Sequence, residues 1–539
     1  GDVTQNGLAS SRSTIRNVSP GMTRMDPSNT VGNSAMSLAR VQTRALSGVG
    51  AAAVTVEVDL SNGLPSFTLV GLADTEVKEA RERVRAAIQN SGFVFPNNKR
   101  ITVNLAPADL PKDSGRFDLP IALGILAASD QVSGAALAKY EFAGELSLSG
   151  DLRAVRGGLA MCLALQQTST PVSLVLPPET AQEAAWVPEA VIYAAVHLQD
   201  VVARLQDPPI ATAGWSRVAA GIPVAIASGL DMTDVKGHAG VRRALEIAAA
   251  GGHSVLMVGP PGSGKSMLAE RFAALLPNMT HGEALASATI ASLVGVFDAE
   301  CFGQRPTCAP HHTASPAALV GGGAPPQPGE ISMAHNGVLF LDEFPEFSRR
   351  ALEALREPLE TGEIRISRAR YQAVFPARFQ LIAAMNPCPC GYLGHPSIAC
   401  TDTRTQVARY QGKISGPLLD RIDLHVSVLS VPYQSLLQSA SGETTAVVRE
   451  RVMAAHGRAM QRQQQPNARL TGESLTTHAT LDAPGHQFLQ AVAARFQWSA
   501  RRLHRVLRVA RTIADLADAD AITSAHLSEA VQYQRVLQA

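Results

Sequence analysis

The chain has 539 residues, of which 46% are hydrophobic and 17% charged, so it can build about two to four domains with sizeable cores. Its 47 basic and 46 acidic residues leave a formal net charge of +1, so any surface that binds nucleic acid must be local. Six cysteines are few for a secreted disulfide scaffold and favour a reducing, cytoplasmic location. No apolar run reaches the ~18 residues of a membrane-spanning helix, so no membrane partner is expected.

The first third of the chain predicts an α+β domain. Residues 1–35 are polar and lack the apolar core of a signal peptide, so they are expected to be a disordered leader or an expression remnant. The patterns that follow are, in order, a hairpin of strands 53–60 and 66–70, a helix at 75–90, a strand at 99–105, an apolar helix at 118–129 and a second hairpin from 142. The domain is predicted at 36–206, and the Pro-, Gly- and Ala-rich stretch 207–230 is predicted to be a linker.

A phosphate-binding loop is the strongest pattern in the sequence. The stretch 259–266 matches G-x-x-x-x-G-K-[ST]. It consists of Gly259, Pro260, Pro261, Gly262, Ser263, Gly264, Lys265 and Ser266. An apolar run at 254–258 and a helical pattern at 267–273 give it the required strand–loop–helix context. We therefore expect Lys265 to reach the β- and γ-phosphates of a nucleotide and Ser266 to bind Mg²⁺.

A second half of the same site is predicted at 337–343. Four apolar residues precede Asp342 and Glu343, as in a buried strand that ends in two acids. Beside a phosphate loop, Asp342 would hold Mg²⁺ and Glu343 would orient and deprotonate the attacking water. The two halves together predict Mg²⁺-dependent ATP hydrolysis. The glycine- and proline-rich stretch 318–330, between the halves, predicts an exposed loop.

A hairpin is predicted at 364–375, before a buried strand at 380–386 that ends at Asn386. Near its tip lie Arg365, Arg368 and Arg370, with Tyr371 beside them. Arginines are suitable contacts for DNA phosphates, and a tyrosine can stack on a base. The alternative is a solvated hairpin face. From about residue 431 the chain is helical, with an arginine-rich amphipathic helix at 499–516 and a last helix at 523–537.

Several long stretches together resemble the ComM/YifB family, in the Mg-chelatase-like branch of the AAA+ ATPases. They are Arg305-Pro306 and residues 309–312, 328–332, 386–391, 415–425 and 509–516. The resemblance implies an α/β fold in which an AAA+ P-loop αβα core at 231–430 carries a C-terminal helical lid at 431–539. It also implies that the first domain is an α+β, Lon-protease-like domain of the ChlI type.

The family resemblance also implies site residues. Asn386 corresponds to the sensor-1 residue and Arg421 to an arginine finger that reaches a neighbouring subunit. Arg501 lies where sensor-2 is expected, with Arg502 and Arg505 as competitors. Preorganised cations of this kind stabilise the charge of phosphoryl transfer.

Lon proteases use a Ser–Lys dyad, and here the nucleophile position is occupied by Asp118. No lysine stands in the expected place near 157–162. A carboxylate cannot replace the serine nucleophile, so the domain is predicted to be non-proteolytic, a binding or assembly module, with Ser114 as a nominal alternative.

Three cysteines form a cluster with one histidine. Cys388, Cys390 and Cys400, with His395 between them, are a candidate zinc site. The family pattern has a second C-x-C here, which this chain lacks, so free thiols in a tight loop are the alternative and His395 is the candidate replacement ligand. His311 and His312 are adjacent, and their side chains are expected to diverge, which favours packing or loop hydrogen bonding over a shared metal.

The function that the resemblance implies is a hexameric DNA helicase that promotes branch migration in homologous recombination or natural transformation. Its partners would be ATP, Mg²⁺, branched or single-stranded DNA and recombination proteins. The alternatives are a Mg-chelatase-type ATPase subunit for metal insertion and an ATP-dependent unfoldase or protease.

Overall fold

This computed structural model describes residues 37–539 except 72, 113–114, 224–228, 369–370, 432–441, 535–536 and 538–539. The predicted leader at 1–35, Ser114 and Arg370 lie outside the described residues.

The first part of the chain forms an eight-stranded mixed sheet with the order β10-β9-β8-β5-β1-β2-β4-β3. The strands of this part, including a separate small hairpin of β6 and β7, are β1 (Leu38–Ser47), β2 (Gly50–Ser61), β3 (Ser66–Val70), β4 (Arg100–Ala106), β5 (Tyr140–Phe142), β6 (Glu145–Leu146), β7 (Leu152–Arg153), β8 (Ser173–Leu176), β9 (Ile192–Ala195) and β10 (Trp215–Arg217). Alternation along β2 buries Val54, Val56 and Val58, as expected for a strand with one face on the core. Strand β10 lies within the stretch 207–230 that the sequence analysis assigns to a linker.

Six α-helices of the described residues pack with this sheet. They are α1 (Thr75–Asn90), α2 (Asp118–Ala128), α3 (Gly134–Leu137), α4 (Gly158–Gln166), α5 (Pro178–Ala184) and α6 (Leu198–Arg204). The side chain of Asp74 caps α1 by accepting the Val77 N–H at 2.8 Å, which satisfies a free donor of the first turn. Helix α2 is buried along nearly its whole length and contacts β1 and β2, because it is apolar on all faces.

The predicted pairing of strands 53–60 and 66–70 is wrong. Strand β2 pairs antiparallel with β1 on one edge and with β4 on the other, while β3 pairs in parallel with β4. The prediction missed β1, which begins before residue 47 and buries Val41 and Ala45 against the same core. With both edges of β2 occupied, no edge remains for β3. The second predicted hairpin is present, but it consists of β6 and β7, while β5 belongs to the large sheet.

A second sheet is entirely parallel, and the phosphate loop follows one of its strands. Its order is β12-β15-β18-β11-β19, formed by β11 (Val255–Val258), β12 (Thr307–Cys308), β15 (Val338–Leu341), β18 (Gln380–Met385) and β19 (Leu424–Ser427). The three central strands β11, β15 and β18 are mostly apolar and buried, because both faces of a parallel sheet are covered. The parallel α/β core expected of a P-loop protein is therefore confirmed.

Helices surround this sheet and continue to the C-terminus. Around the sheet lie α7 (Ala239–Gly251), α8 (Lys265–Phe272), α9 (His281–Val294), α10 (Pro316–Val320), α11 (Glu330–Met333), α12 (Arg349–Ala354), α13 (Arg356–Thr361), α14 (Arg404–Gln411) and α15 (Gly416–Leu419). The C-terminal helices are α16 (Thr445–Gln463), α17 (Gly472–His478), α18 (Ala483–Phe496), α19 (Ala500–Leu516) and α20 (Ser524–Gln532). The amphipathic face of α19 packs Val506, Val509 and Ile513 into the core beneath β11.

Two hairpins project from the second sheet's connections. Strands β16 (Glu363–Arg368) and β17 (Tyr371–Pro376) form the predicted arginine hairpin, with Arg368 opposite Tyr371. The stretch 318–330, predicted to be an exposed loop, instead contains a short hairpin of β13 (Gly321–Gly322) and β14 (Gln327–Pro328). Its ends are anchored because Leu319, Pro328 and Gly329 are buried, which the glycine and proline content did not reveal.

The two sheets are joined by a contact between their helices. Helix α4 packs on α9, and the ring of Trp186 stacks on Phe302 with centroids 4.2 Å apart. The Ser292 hydroxyl donates to Glu183 at 2.7 Å. Along the described chain, every helix is too short or too polar to cross a bilayer.

Candidate nucleotide-binding site

The phosphate loop connects β11 to α8 and needs its glycines. Gly262 and Gly264 have φ angles of 71° and 91°, a region that side-chain-bearing residues rarely adopt. A Cβ on Gly259 would lie 2.0 Å from the Val428 carbonyl oxygen, so only glycine fits there. The loop thus has the conformation in which successive N–H groups can face an anion at a helix N-terminus.

Lys265 is buried at the start of α8. Its Nζ donates to the carbonyl oxygens of Gly259 and Pro260 at 2.8 and 2.9 Å, and to Asn386 Oδ1 at 3.3 Å. Burial lowers the pKa of Lys265, and the nearby Asp342 opposes this shift. The ammonium group is therefore held in the loop, and its hydrogen bond to Asn386 links the loop to the end of β18.

The acidic half of the site lies opposite. Ser266 Oγ donates to Asp342 Oδ2 at 2.8 Å, and the Glu343 N–H donates to Asp342 Oδ1 at 2.8 Å. A hydroxyl and a carboxylate oxygen side by side are the hard donors that Mg²⁺ prefers. Ser266 and Asp342 would hold the ion, which would bridge and neutralise nucleotide phosphates when bound.

These groups meet because β11, β15 and β18 are parallel neighbours whose carboxyl ends share one edge. Lys265, Asp342, Glu343 and Asn386 line a cavity of about 470 Å³. Residues that the sequence analysis missed complete its wall: Glu346, Gln406, Arg409, Tyr410 and Lys413. Lys413 pairs with Glu346 at 3.1 Å. Glu346 lies in the turn after Glu343, Gln406, Arg409 and Tyr410 lie on α14, and Lys413 follows that helix. No spacing in the sequence linked these residues to the phosphate loop.

Arg421 and Arg501 lie elsewhere. They line a separate cavity of about 720 Å³ that does not include Lys265. Arg421 donates to Pro417 O at 2.7 Å and forms an ion pair with Glu360. Arg421, followed by the charge of Arg501, lowers the pKa of Glu360. The competitor Arg505 is buried and donates to the backbone carbonyls of Leu419, at the end of α15, and of Ile422.

The cysteine cluster is assembled, but its fourth member differs from the prediction. The Sγ atoms of Cys388, Cys390 and Cys400 lie 3.3–3.6 Å apart, close to the ~3.8 Å spacing of thiolates around one zinc ion. A carboxylate oxygen of Asp402 joins them, all ligand atoms lying within 4.8 Å of one another.

His395 does not belong to that group of four. Its Nδ1 accepts the N–H groups of Ser397 and Ile398 at 3.1 and 3.0 Å. The structure thus brings Asp402, and not the predicted His395, together with the three cysteines. Spacing along the sequence favoured the histidine, but a local turn uses its nitrogen.

The other predicted sites are placed as follows. Arg365 and Arg368 are exposed on the β16–β17 hairpin, and Tyr371 is half-buried. Asp118, which the sequence predicts at the nucleophile position of a Lon-like domain, is fully buried and accepts a hydrogen bond from Arg83 at 2.6 Å. Burial raises the pKa of Asp118 to about 6, although Arg83 opposes the shift.

In a comparison with known protein families, three family models match separate parts of the chain. The model for "Magnesium chelatase, subunit ChlI" matches residues 231–436, "Subunit ChlI of Mg-chelatase" matches 56–180, and the "Magnesium chelatase, subunit ChlI C-terminal" model matches 442–534.

Whole-length relatives are also found. The chain is 48% identical over 503 residues to the uncharacterized protein YifB of Salmonella typhimurium, and 48% identical over 511 residues to the competence protein ComM of Haemophilus influenzae. Each match covers 93% of this chain and 98% of the relative. A magnesium-chelatase 67 kDa subunit of Chlorobaculum tepidum is 30% identical over 160 residues, 29% of this chain and 23% of that protein.

We expect Glu343→Gln to bind ATP normally but to hydrolyse it on the order of 10²-fold more slowly, because the amide keeps the shape and cannot take a proton from water. The measurements are nucleotide binding and steady-state phosphate release. Glu357→Gln, on the exposed side of α13, is the matched control. Wild-type turnover by Glu343→Gln would remove Glu343 from this role.

Proposed function

The chain belongs to the YifB/ComM group of the Mg-chelatase-like AAA+ family, and from that premise we propose that it is an ATP-driven hexameric DNA motor. In this proposal it is a helicase that promotes branch migration during homologous recombination or natural transformation. Its client is branched or single-stranded DNA, and recombination proteins are its further partners. The family supports ATP hydrolysis, and a relative named as a competence protein supports a client made of DNA.

The observation that carries the DNA assignment is the position of the β16–β17 hairpin. In the chain it lies between β15, which leads to Asp342 and Glu343, and β18, which leads to Asn386. Arg365 and Arg368 are exposed on it. Exposed guanidinium groups suit a phosphate backbone, and a hairpin between the two strands of a nucleotide site can move when the γ-phosphate is lost. The net charge is near zero, so such local arginines would dominate binding.

The proposal of a hexameric ring is supported by the cavity around Arg421 and Arg501. Six arginines and four carboxylates line it. They are Arg305, Arg378, Arg421, Arg469, Arg501 and Arg508, with Glu283, Glu360, Asp420 and Asp423. A cationic cavity apart from the chain's own phosphate loop is suited to the polyphosphate of a neighbouring subunit. We infer that Arg421 leaves Glu360 to bind that phosphate, and that Arg501 also binds it.

The first part of the chain, about residues 36–206, is proposed to be a Lon-like, non-proteolytic module. The buried ion pair of Asp118 with Arg83 leaves no nucleophile at the expected position, which disfavours a protease. Metal insertion is disfavoured because the relatives that match 93% of the chain are YifB and ComM proteins, whereas the named magnesium-chelatase relative matches only 29% of it. The remaining proposed divisions are a linker at 207–230, a core at 231–430 and a helical lid at 431–539.

We also propose that Cys388, Cys390, Cys400 and Asp402 bind a structural Zn²⁺. The three thiols and the carboxylate have the number and spacing of a tetrahedral site. The site lies directly after Asn386, so the ion would fix the loop that begins there.

Arg421→Ala should leave ATP binding nearly intact and lower turnover about 10³-fold or more, the usual contribution of an arginine finger. If the finger acts on a neighbour, mixing this variant with Lys265→Ala should restore part of the activity, because some interfaces regain a full set of groups. Phosphate release by mixed rings is the measurement. Rings shown to contain both variants that recover nothing would contradict action between subunits.

Arg365→Ala combined with Arg368→Ala should weaken DNA binding for all sequences and lower the log–log salt slope by about one unit per lost phosphate contact. Binding is measured by fluorescence anisotropy across a salt series, and unwinding with forked and four-way DNA. Basal ATPase and oligomer size should persist. Arg349→Ala with Arg350→Ala, on exposed positions of α12, changes the net charge equally. An unchanged salt slope in the hairpin variant would remove the hairpin as the DNA contact.

Metal analysis of the purified protein should find about one zinc ion per chain. Asp402→Ala should lower that occupancy, whereas His395→Ala should retain it, because the imidazole nitrogen lies in a local turn. A zinc-free wild-type protein, or loss of zinc only with His395→Ala, would contradict the assignment.

A further inference from the structure

The larger cavity, of about 720 Å³, lies at the edge of the parallel sheet opposite the phosphate loop. Its lining includes Ser254, Gly337, Gln380 and Asp423, and each of these is at, or directly before, the first residue of a strand of that sheet. The C-terminal helices form the facing wall, with His456 of α16 among the lining residues. A ligand in this cavity would therefore contact both the core and the C-terminal helices.

The charges are unevenly distributed between the two ends of this cavity. One end, the Arg421 end, is balanced, because three arginines and three carboxylates line it: Arg421, Arg501 and Arg508, with Glu360, Asp420 and Asp423. The opposite end, the Arg469 end, has three arginines and, among the described lining residues, one carboxylate: Arg305, Arg378 and Arg469, with Glu283. The excess positive charge of the cavity therefore lies at the Arg469 end.

The three arginines of the Arg469 end act on one another and on a neighbouring histidine. Burial lowers the pKa of Arg469, and the charges of Arg378 and Arg305 add to this shift, while Glu283 opposes it. Burial, followed by the charges of Arg378 and Arg469, lowers the pKa of His335 to about 4. Like charges are thus held close together, which is unfavourable until an anion neutralises them.

The hydrogen-bonding capacity at this end is only partly used. Arg305 donates to the carbonyl oxygens of Pro277 and Asn336 at 2.6 and 2.7 Å. The guanidinium groups of Arg378 and Arg469, by contrast, donate no hydrogen bond to any residue that the structure describes. Two guanidinium groups, each with five N–H donors, are therefore available to a ligand.

The stems of these two arginines are nevertheless held in place. The chain of Arg378 lies over Gly362, where a Cβ would be only 2.7 Å from its Cγ. Arg469 lies two residues after Asn467, which is buried and donates to Asp515 Oδ2 at 2.8 Å. Fixed stems with unpaired charged heads are the arrangement of a preorganised anion site.

The Arg469 end is separated from the Arg421 end by the width of the sheet. Arg305 and Arg421 precede β12 and β19, which are the two edge strands, and four strand spacings of about 4.8 Å put these strands about 19 Å apart. Arg378 precedes β18, two spacings or about 10 Å from β19. An anion bound by Arg378 and Arg469 is thus a different group from the phosphate proposed to meet Arg421.

We propose that Arg305, Arg378 and Arg469 form a second anion site, whose ligand is a phosphate group of either a small polyphosphate or a DNA backbone. Phosphate fits because guanidinium forks bind it through paired hydrogen bonds and because it can carry more than one negative charge. The bound group would join the start of β18 to the C-terminal helices. The site does not depend on the proposed role of Arg421; only the DNA source rests on the proposed function.

The test uses the full chain with Lys265→Ala, which weakens binding at the phosphate loop, and inorganic tripolyphosphate as the probe. Calorimetric titration at about 0.15 M salt, where exposed charges are largely screened, should show binding. Arg378→Gln combined with Arg469→Gln should weaken it at least about tenfold, the effect of losing one hydrogen bond to a charged group.

Arg421→Gln combined with Arg501→Gln is the matched control, because it removes the same charge from the other end of the same cavity. This pair should leave the tripolyphosphate affinity of the Lys265→Ala chain unchanged. Equal losses in both pairs, or a loss only in the control pair, would overturn the proposal.

Thermal melting separates a binding role from a purely structural one. Without an anion, Arg378→Gln with Arg469→Gln should melt at or above the temperature of its parent, because it relieves repulsion and breaks no hydrogen bond between described residues. Saturating tripolyphosphate should raise the melting temperature of the parent but not that of the variant. A variant that melts below its parent without the anion would show that the two arginines serve the fold, and would overturn the proposal.

A single-stranded DNA oligonucleotide distinguishes the two sources of phosphate. If Arg378→Gln with Arg469→Gln weakens DNA binding in fluorescence anisotropy, and tripolyphosphate displaces DNA from the parent, the group belongs to the DNA backbone. Tripolyphosphate binding with unchanged DNA affinity identifies a small polyphosphate, and the absence of both effects overturns the site. A chain that binds no DNA at all contradicts the proposed DNA motor, while the tripolyphosphate titration still decides whether the site exists.

Discussion

The carboxyl edge of the five-stranded parallel sheet determines where every group of the nucleotide site can lie. Strand β11 leads into the phosphate loop, β15 into Asp342 and β18 into Asn386, and these three strands are hydrogen-bonded neighbours. The hydrogen bond from Lys265 to Asn386 and that from Ser266 to Asp342 join the strand ends across the edge. The strands are buried on both faces, so their ends cannot move far relative to one another. A fixed edge of this kind is a preorganised environment for phosphoryl transfer.

The same sheet is tied to the C-terminal helices by a buried polar network. His253, at the start of β11, bonds Asp423 at 3.0 Å through Nδ1 and Thr512 of α19 at 2.7 Å through Nε2. Further along α19, Asp515 accepts from Arg462 at 2.8 Å and from Arg511 at 3.1 Å. Removing one partner of such a network leaves a buried charge unpaired, which costs several kcal/mol. The network therefore makes the position of α19 dependent on the sheet.

Local pattern and motif predicted the elements of the site but not all of its contacts. The phosphate loop, the acidic strand and the strand that ends at Asn386 are each one unbroken stretch of sequence. Apolar runs and glycine spacing were therefore enough to find them. The pairing of β2 with β1 was missed because strand pairing depends on which edges are free, a property of the whole sheet. The place of Asp402 in the cysteine cluster was missed because side chains brought together by loops leave no periodic signal in the sequence.

The two hairpins lie outside the parallel sheet, but both are anchored to it. Both hairpins lie in connections between strands of the sheet, β13–β14 between β12 and β15 and β16–β17 between β15 and β18. The β16–β17 hairpin buries Ile364, Ile366 and Phe375 in the same core as residues of β15 and β18. The Glu343 side chain is 60% exposed, whereas Lys265 is buried and Asp342 accepts a hydrogen bond from Ser266. The groups that would bind the nucleotide are thus held by contacts within the site, whereas the carboxylate proposed to activate water faces solvent.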